Sequence, residues 1–182
     1  MPSDHIQPLI TTNAISDRIA AMAWEISRDS AGQPVHLIGV LKGAVLFLGD
    51  LIRQMTGPVT IDFMALSSYG GGATSSGEVR VVKDLDYGLE GRDVVIVEDI
   101  VDTGLTLHYL QEILRARGPK SLRTACLLSK PSRRQIEVTV DYVGFTIEDR
   151  FVVGYGLDFA ERYRNLPYIG IYGEESAATD RP

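Results

Sequence analysis

The chain has 182 residues, a formal net charge of −6, 45% hydrophobic and 23% charged residues, a composition suited to one globular domain with its own core. The acidic balance argues against non-specific nucleic-acid binding, no apolar run approaches the ~20 residues of a membrane span, and a single cysteine, Cys126, excludes an intrachain disulfide. The stretch MPSDHIQPL has no basic lead and no long apolar centre, so the expected location is the cytoplasm.

In chain order, Thr11, Thr12 and Asn13 offer capping oxygens, and Ile15, Ile19, Met22 and Ile26 recur at helical spacing, predicting a helix that ends near Gly32. VHLIGVL follows Pro34 and is continuously apolar, which predicts a strand buried on both faces. After Lys42-Gly43, AVLFLGDLIRQM predicts a helix with Leu48, Leu51, Ile52 and Met55 inward, and VTIDFMAL a strand over 59–66. The run from Ser67 to Gly77, SSYGGGATSSG, has no apolar anchor and is expected to be a flexible loop, closing a hairpin with the strand EVRVVKDL. DVVIVEDI is a further buried strand, followed by a helix from Leu105 to Arg117 and a stop at Gly118-Pro119. SLRTACLLS and DYVGFTI predict two more strands, and residues 174–182 a frayed, disordered tail. Cys126 sits in an apolar strand and is expected to be a buried small hydrophobe.

Strands alternating with helices predict a single α/β domain over 1–182, with a mainly parallel sheet flanked by helices. Ligands in such sheets bind at the carboxyl ends of the strands. That places Leu41-Lys42-Gly43, the segment from Glu98 to Thr106, and Ser129-Lys130-Pro131 on one rim.

Chemistry concentrates in VVIVEDIVDTGLTL. Asp102-Thr103-Gly104-Leu105-Thr106 turns into a helix N-terminus, where free N–H groups and the dipole favour a phosphate and Gly104 leaves room for it. The acids Glu98, Asp99 and Asp102 suit a cationic transition state, a metal-bound diol or a proton to be removed. Simple helix capping would account for one acid but poorly for three. There is no GxGxxG after a strand and no GxxxxGKS, and His5, His36 and His108 lack metal-ligand spacing. The basic run Lys130–Arg134 is the one local patch to check against the acidic whole.

EDIVDTGLT resembles the phosphoribosyl-diphosphate signature of the type I phosphoribosyltransferase family. With VLKGA, SSYGGG, LLSKPSRR, DRFVVGYGLD and RYRNLP in order over residues 35–173, the chain resembles the hypoxanthine-guanine branch of that family, of bacterial type. The resemblance implies the family's fold, with a small hood and a flexible loop. It implies a purine-salvage pentosyltransferase that moves the 5-phosphoribosyl group from phosphoribosyl diphosphate to hypoxanthine or guanine, giving IMP or GMP plus pyrophosphate. Glu98 and Asp99 would face the ribose hydroxyls, with Mg2+ held largely by substrate oxygens and Asp158 near a second metal. Asp102 would take the proton from N7 of the base. Thr103, Gly104, Leu105 and Thr106 would hold the 5′-phosphate. Leu41, Lys42 and Gly43, with a cis peptide between the first two, and Arg164 would hold pyrophosphate, with Ser68 and Tyr69 on the closing loop. Lys130 would donate to the exocyclic O6, Phe151 would stack on the purine, Val152 would read its edge, and Asp158 would lie close by. Some relatives carry lysine after DTG where this chain has Leu105, which removes a charged contact but not the catalytic set.

The family resemblance also implies a homodimer or homotetramer, with no nucleic-acid or membrane partner. A regulatory nucleotide sensor on the same fold is the alternative. The acidic charge and the full set Asp102, Lys130 and Arg164 count against it. The order of preference among hypoxanthine, guanine and xanthine depends on backbone geometry near Val152 and Asp158, which residue types do not determine.

Overall fold

Alternate residues of each central strand face opposite ways, and in this chain both sets are apolar, so the sheet has to be covered on both sides. The computed structural model, which describes residues 5–68 and 79–173, shows this arrangement. The elements are β1 (Ile6–Ile10), α1 (Thr12–Ser30), β2 (Val35–Leu41), α2 (Val45–Gln54), β3 (Val59–Ser68), β4 (Val79–Lys83), β5 (Asp93–Val101), α3 (Leu105–Arg115), β6 (Ser121–Ser129), β7 (Tyr142–Thr146), β8 (Val152–Val153) and β9 (Ile169–Tyr172). One six-stranded sheet has the order β4-β3-β2-β5-β6-β7. β3, β2, β5, β6 and β7 run parallel, and β4 is antiparallel at the edge.

On one face α1 and α2 bring Ile15, Ile19, Met22, Ile26, Phe47, Leu48 and Leu51 against Leu37, Val95, Val97 and Leu127. On the other, α3 brings Leu107, Leu110 and Leu114 against Ile38, Val94, Ile96 and Cys126. Neighbouring residues of one strand thus serve different cores, which explains the unbroken apolar runs. Cys126 is buried, and that burial pushes its thiol up to about 12, so it packs as a small hydrophobe.

The helix starts and stops agree closely with the sequence. The Thr11 side chain accepts from Ala14 N at the start of α1, and the chain leaves through Ala31 in the left-handed region. α3 ends two residues before Arg117, and in α2 Phe47 joins the core, whereas Ile52 and Met55 are only partly buried. β3 includes Ser67 and Ser68, so the strand extends into the expected loop, and β4 pairs with it as Ser68↔Val79 and Ser67↔Arg80. Tyr69 and the rest of the expected loop to residue 77, with the expected tail at 174–182, lie outside the described residues.

The second sheet, β1-β9-β8, forms the hood, and its three strands are additions to what periodicity predicts. β1 pairs with β9 from the far end of the chain, Gln7↔Ile171, and Ile10, Val152, Ile169 and Ile171 join the core beneath. Thr12 Oγ1 donates to Pro167 O at 2.9 Å, tying the hood to the start of α1. Among the described residues no helix is long and apolar enough to cross a membrane.

Candidate active site

β2 lies between β3 and β5, and the chain leaves β2 in one direction and β5 in the other. That reversal opens a crevice at their carboxyl ends. A cavity of about 240 Å3 sits there, lined by Leu41, Glu98, Asp99, Asp102, Thr103, Gly104 and Thr106 among others. The structure therefore brings together the loop after β2 and the acids and turn after β5. The loop after β6 joins the same rim, because Lys130 N donates to Val101 O at 3.0 Å.

Glu98 continues the buried face of β5 and is 6% exposed, while Asp99 points the other way and is half-buried. Burial, then the neighbouring Asp99, holds the Glu98 carboxyl well above its usual range. Asp99 is pushed up to about 6, by burial above all and with Asp158 adding to it. The N–H of Ile100, donating to Oδ1 at 2.8 Å, and the positive charge of Arg164 oppose the shift. A pair of carboxylates with too little positive charge around them favours a cation or hydroxyl donors brought by a ligand. Among the described residues no three His, Cys, Asp or Glu side chains are placed to hold a metal ion. The two oxygen donors fit Mg2+ only as a minority of its ligands, which is how that ion commonly binds.

The loop Leu41–Gly43 is pressed onto this pair. The Leu41–Lys42 peptide is cis, and a Cβ on Gly43 would lie 1.5 Å from Asp99 Oδ2, so any larger residue would have to displace the Asp99 carboxylate. Lys42 Nζ pairs with Glu161 Oε2 at 3.0 Å. Arg164 donates from Nη1 to Gly156 O at 2.7 Å and pairs through Nη2 with Asp158 Oδ1 at 2.6 Å. Asp158 Oδ2 also accepts from Glu161 N at 2.8 Å. Lys42, Arg164, Asp158 and Glu161 thus form one charged group between the rim and the hood.

At the turn, Gly104 has φ +87° and starts α3 without a side-chain cap. The first helical bond is His108 N to Gly104 O at 2.8 Å, so the N–H groups of the first turn have no carbonyl of the helix to bond; Leu105 N donates to Thr103 Oγ1 at 3.4 Å, and such a helix start suits an anion. Leu105, 38% exposed, adds no charge here.

The turn is held by a segment that the sequence reading flagged as a basic patch and as part of the motif LLSKPSRR, with no role given to its arginines. Arg134 donates through Nη1 to Val101 O at 2.6 Å and to Asp102 O, and through Nη2 to Ser129 Oγ at 2.9 Å. Gln135 N donates to Thr103 O at 2.9 Å. Arg133 Nε pairs with Asp102 Oδ1 at 3.2 Å, and Arg133 Nη1 with Asp149 Oδ2 at 3.6 Å. Asp149 Oδ1 lies 3.7 Å from Lys130 Nζ, whose side chain is nearly buried. Lys130, Asp149, Arg133 and Asp102 form a charge chain along the rim. Its legible signal was the position of Arg133 and Arg134 in the same loop as Lys130.

Phe151 opens the hood with its ring 52% exposed, edge-on to Phe159 at 5.6 Å and to Tyr172 at 6.1 Å. Val152 beside it is buried in β8. Ser68 ends β3, and Tyr69 lies outside the described residues.

Comparison with known proteins agrees with this geometry. The profile of the family described as "Phosphoribosyl transferase domain" matches residues 9–160. The chain is 48% identical over 171 residues to the hypoxanthine-guanine phosphoribosyltransferase of Bacillus subtilis, covering 94% of this chain and 95% of that one. It is 46% identical over 175 residues to the bifunctional protein TilS/HprT of Listeria monocytogenes, covering 96% of this chain but spanning only 27% of that longer protein. The crystal structure of a Bacillus anthracis hypoxanthine-guanine phosphoribosyltransferase superposes with a TM-score of 0.88 at 45% identity, over 92% of this chain and 99% of that one. The chain belongs to the phosphoribosyltransferase family, in its hypoxanthine-guanine branch.

Proposed function

We propose that the chain transfers the 5-phosphoribosyl group of phosphoribosyl diphosphate to hypoxanthine or guanine, releasing pyrophosphate and forming IMP or GMP. The observation that carries this reading is the convergence of the buried Glu98, the half-buried Asp99, a third acid and the N-terminus of α3 on one cavity. A substrate with a phosphate, a ribose diol and a departing diphosphate presents the complementary groups.

The 5′-phosphate takes the N–H groups at residues 104–106 and the hydroxyls of Thr103 and Thr106. The ribose hydroxyls donate to Glu98 and Asp99, whose burial makes them strong acceptors. Mg2+, drawing most of its ligands from substrate and water, would sit beside these acids and offset charge on the diphosphate, with Asp158 nearby. Pyrophosphate takes Lys42, the loop backbone and Arg164. The Lys42–Glu161 pair is exposed, weakly held in water, and therefore readily exchanged for the ligand. Arg164, partly buried and fixed by Asp158 and Gly156 O, keeps its aim.

Lys130 is held nearly buried at the end of β6 and donates to the purine O6, a contact that an exocyclic amine would not accept. Phe151 packs on the ring. Asp102 removes the proton at N7 as N9 bonds to C1 and the C1–O bond to pyrophosphate breaks. Arg133 exchanges its partner Asp102 for Asp149, which it already reaches, as the base arrives. The family also supports a homodimer or homotetramer in the cytoplasm, which size-exclusion chromatography and cell fractionation test.

Initial rates with hypoxanthine, guanine, xanthine and adenine, at fixed phosphoribosyl diphosphate and Mg2+, test the reading. Turnover of 6-oxopurines with adenine inert is expected. Rapid turnover of adenine would contradict the role of Lys130, and inert 6-oxopurines would overturn the function.

A further inference from the structure

Between the hood and the rim, the chain leaving β8 makes a turn that side chains rarely allow. Gly154, Tyr155 and Gly156 have φ of +99°, +48° and +98°, so a full-sized residue sits in the left-handed region between two glycines. Tyr155 is 7% exposed and joins the core that α1 and α2 cover. Its hydroxyl donates to Asp50 Oδ2 at 2.6 Å. Burial, then this bond to Asp50, pushes the phenol up, so it keeps the proton it donates.

The two ends of that hydrogen bond belong to the two halves of the diphosphate site. Asp50 lies in α2, the helix that the loop Leu41–Gly43 feeds. Ala44 N donates to Val40 O at 3.3 Å and Val45 N to Lys42 O at 3.2 Å, so loop and helix form one unit. Tyr155 instead precedes the residue on which Arg164 rests. Gly156 N donates to Arg164 O at 2.9 Å, and Gly156 O accepts from Arg164 Nη1 at 2.7 Å. Backbone and guanidinium of Arg164 are therefore both fixed to Gly156. Tyr155 N adds a bond to Leu166 O at 2.9 Å. Gly156 also meets the loop directly, because a Cβ on it would overlap Gly43 O.

We propose that Tyr155 is a positioning residue for the diphosphate. Through its hydroxyl on Asp50 it holds Gly156 against Gly43, which keeps Arg164 and the loop 41–43 at the separation a diphosphate spans. The inference rests on the proposed reaction, in which those two groups take the pyrophosphate. Without the hydroxyl, the left-handed residue loses its tether to α2, and Gly156 moves off the loop with Arg164 attached. The groups assigned to the 5′-phosphate, the ribose and the purine stand on other segments: the turn after β5, Lys130 after β6 and Phe151 before β8. They keep their places.

The test compares two ligands that differ in the diphosphate. Phosphoribosyl diphosphate with Mg2+, and IMP, are titrated calorimetrically into the full chain and into Tyr155→Phe, which removes one oxygen and keeps the ring packed. The variant should bind phosphoribosyl diphosphate about tenfold more weakly, the equivalent of one hydrogen bond to a charged group, with IMP unaffected. KM for phosphoribosyl diphosphate should rise by the same factor while kcat and KM for hypoxanthine stay near wild type. Asp50→Ala, with Tyr155 intact, should reproduce this loss, and Asp50→Asn, which keeps an accepting oxygen, should largely restore affinity. The double variant Tyr155→Phe/Asp50→Ala should be no weaker than either single one. Unchanged affinity for phosphoribosyl diphosphate in Tyr155→Phe and Asp50→Ala, equal losses for IMP, or additive losses in the double variant would each overturn the proposal while wild-type turnover upholds the reaction. A wild-type chain that binds neither ligand and turns over no hypoxanthine would overturn the proposed function and this inference with it.

Discussion

The rim of the large sheet and the hood above it hold the two halves of one site by different means. The rim is rigid because its strands are buried on both faces, and because Arg134 and Gln135 fasten the turn after β5 from the neighbouring loop. The hood is a three-stranded sheet containing a two-residue strand, and its charged groups stay partly exposed in pairs such as Lys42–Glu161. The rim therefore suits steps in which a misplaced atom is costly, and the hood suits groups that exchange partners when a ligand enters. The comparison predicts that rim substitutions lower kcat or stability and that hood substitutions change KM.

Gly43→Ala probes the tightest contact on the rim. Its Cβ would meet the Asp99 carboxylate, and a displacement near 1 Å costs on the order of 10²-fold in activity. A variant with normal kcat/KM would show that the loop and Asp99 are not held together in solution. Arg134→Met removes three hydrogen bonds from a charged donor to the turn and to β6. A loss of about 2–3 kcal/mol in urea unfolding is expected, and an unchanged midpoint would contradict the clamp.

Asp99→Asn should separate stability from activity within the rim. With its pKa raised from 3.8 to about 6, the folded free protein binds a proton more tightly than the unfolded chain. That carboxylate therefore makes wild-type stability fall as pH rises from about 4 to about 6. The variant lacks this penalty, so it should unfold about 2 kcal/mol harder at pH 7 in the free state, with the gap closing below pH 4, while turnover is lost. A pH-independent difference would contradict the assignment. In the hood, Arg164→Lys keeps the charge but cannot bond Asp158 and Gly156 O with one fork. KM for phosphoribosyl diphosphate should rise about tenfold with kcat nearly constant. A kcat loss with constant KM would erase the distinction between the regions.

This contrast also separates what was legible in the sequence from what was not. β2, β5 and β6 announce themselves by the apolar runs LIGVL, VVIV and ACLL, because burial on both faces favours apolar side chains at successive positions. The acids and the turn stand out against that background, and the resemblance then assigns them to the ribose, the base and the phosphate. The hood strands carry no such pattern. β1 buries only its last residue fully, β8 is too short for any periodicity, and both depend on β9, which in the case of β1 lies some 160 residues away. Arg133 and Arg134 had no role assigned to them, because a side chain that reaches back to carbonyls of another strand is marked in the sequence only by its place beside Lys130.

The central claim is that the rim performs the chemistry with Asp102 as the base. Its most direct test is kcat for Asp102→Asn with hypoxanthine at saturating phosphoribosyl diphosphate and Mg2+. A fall of about 10²–10⁴-fold with substrate affinity preserved is the predicted result. An unchanged kcat would contradict the account.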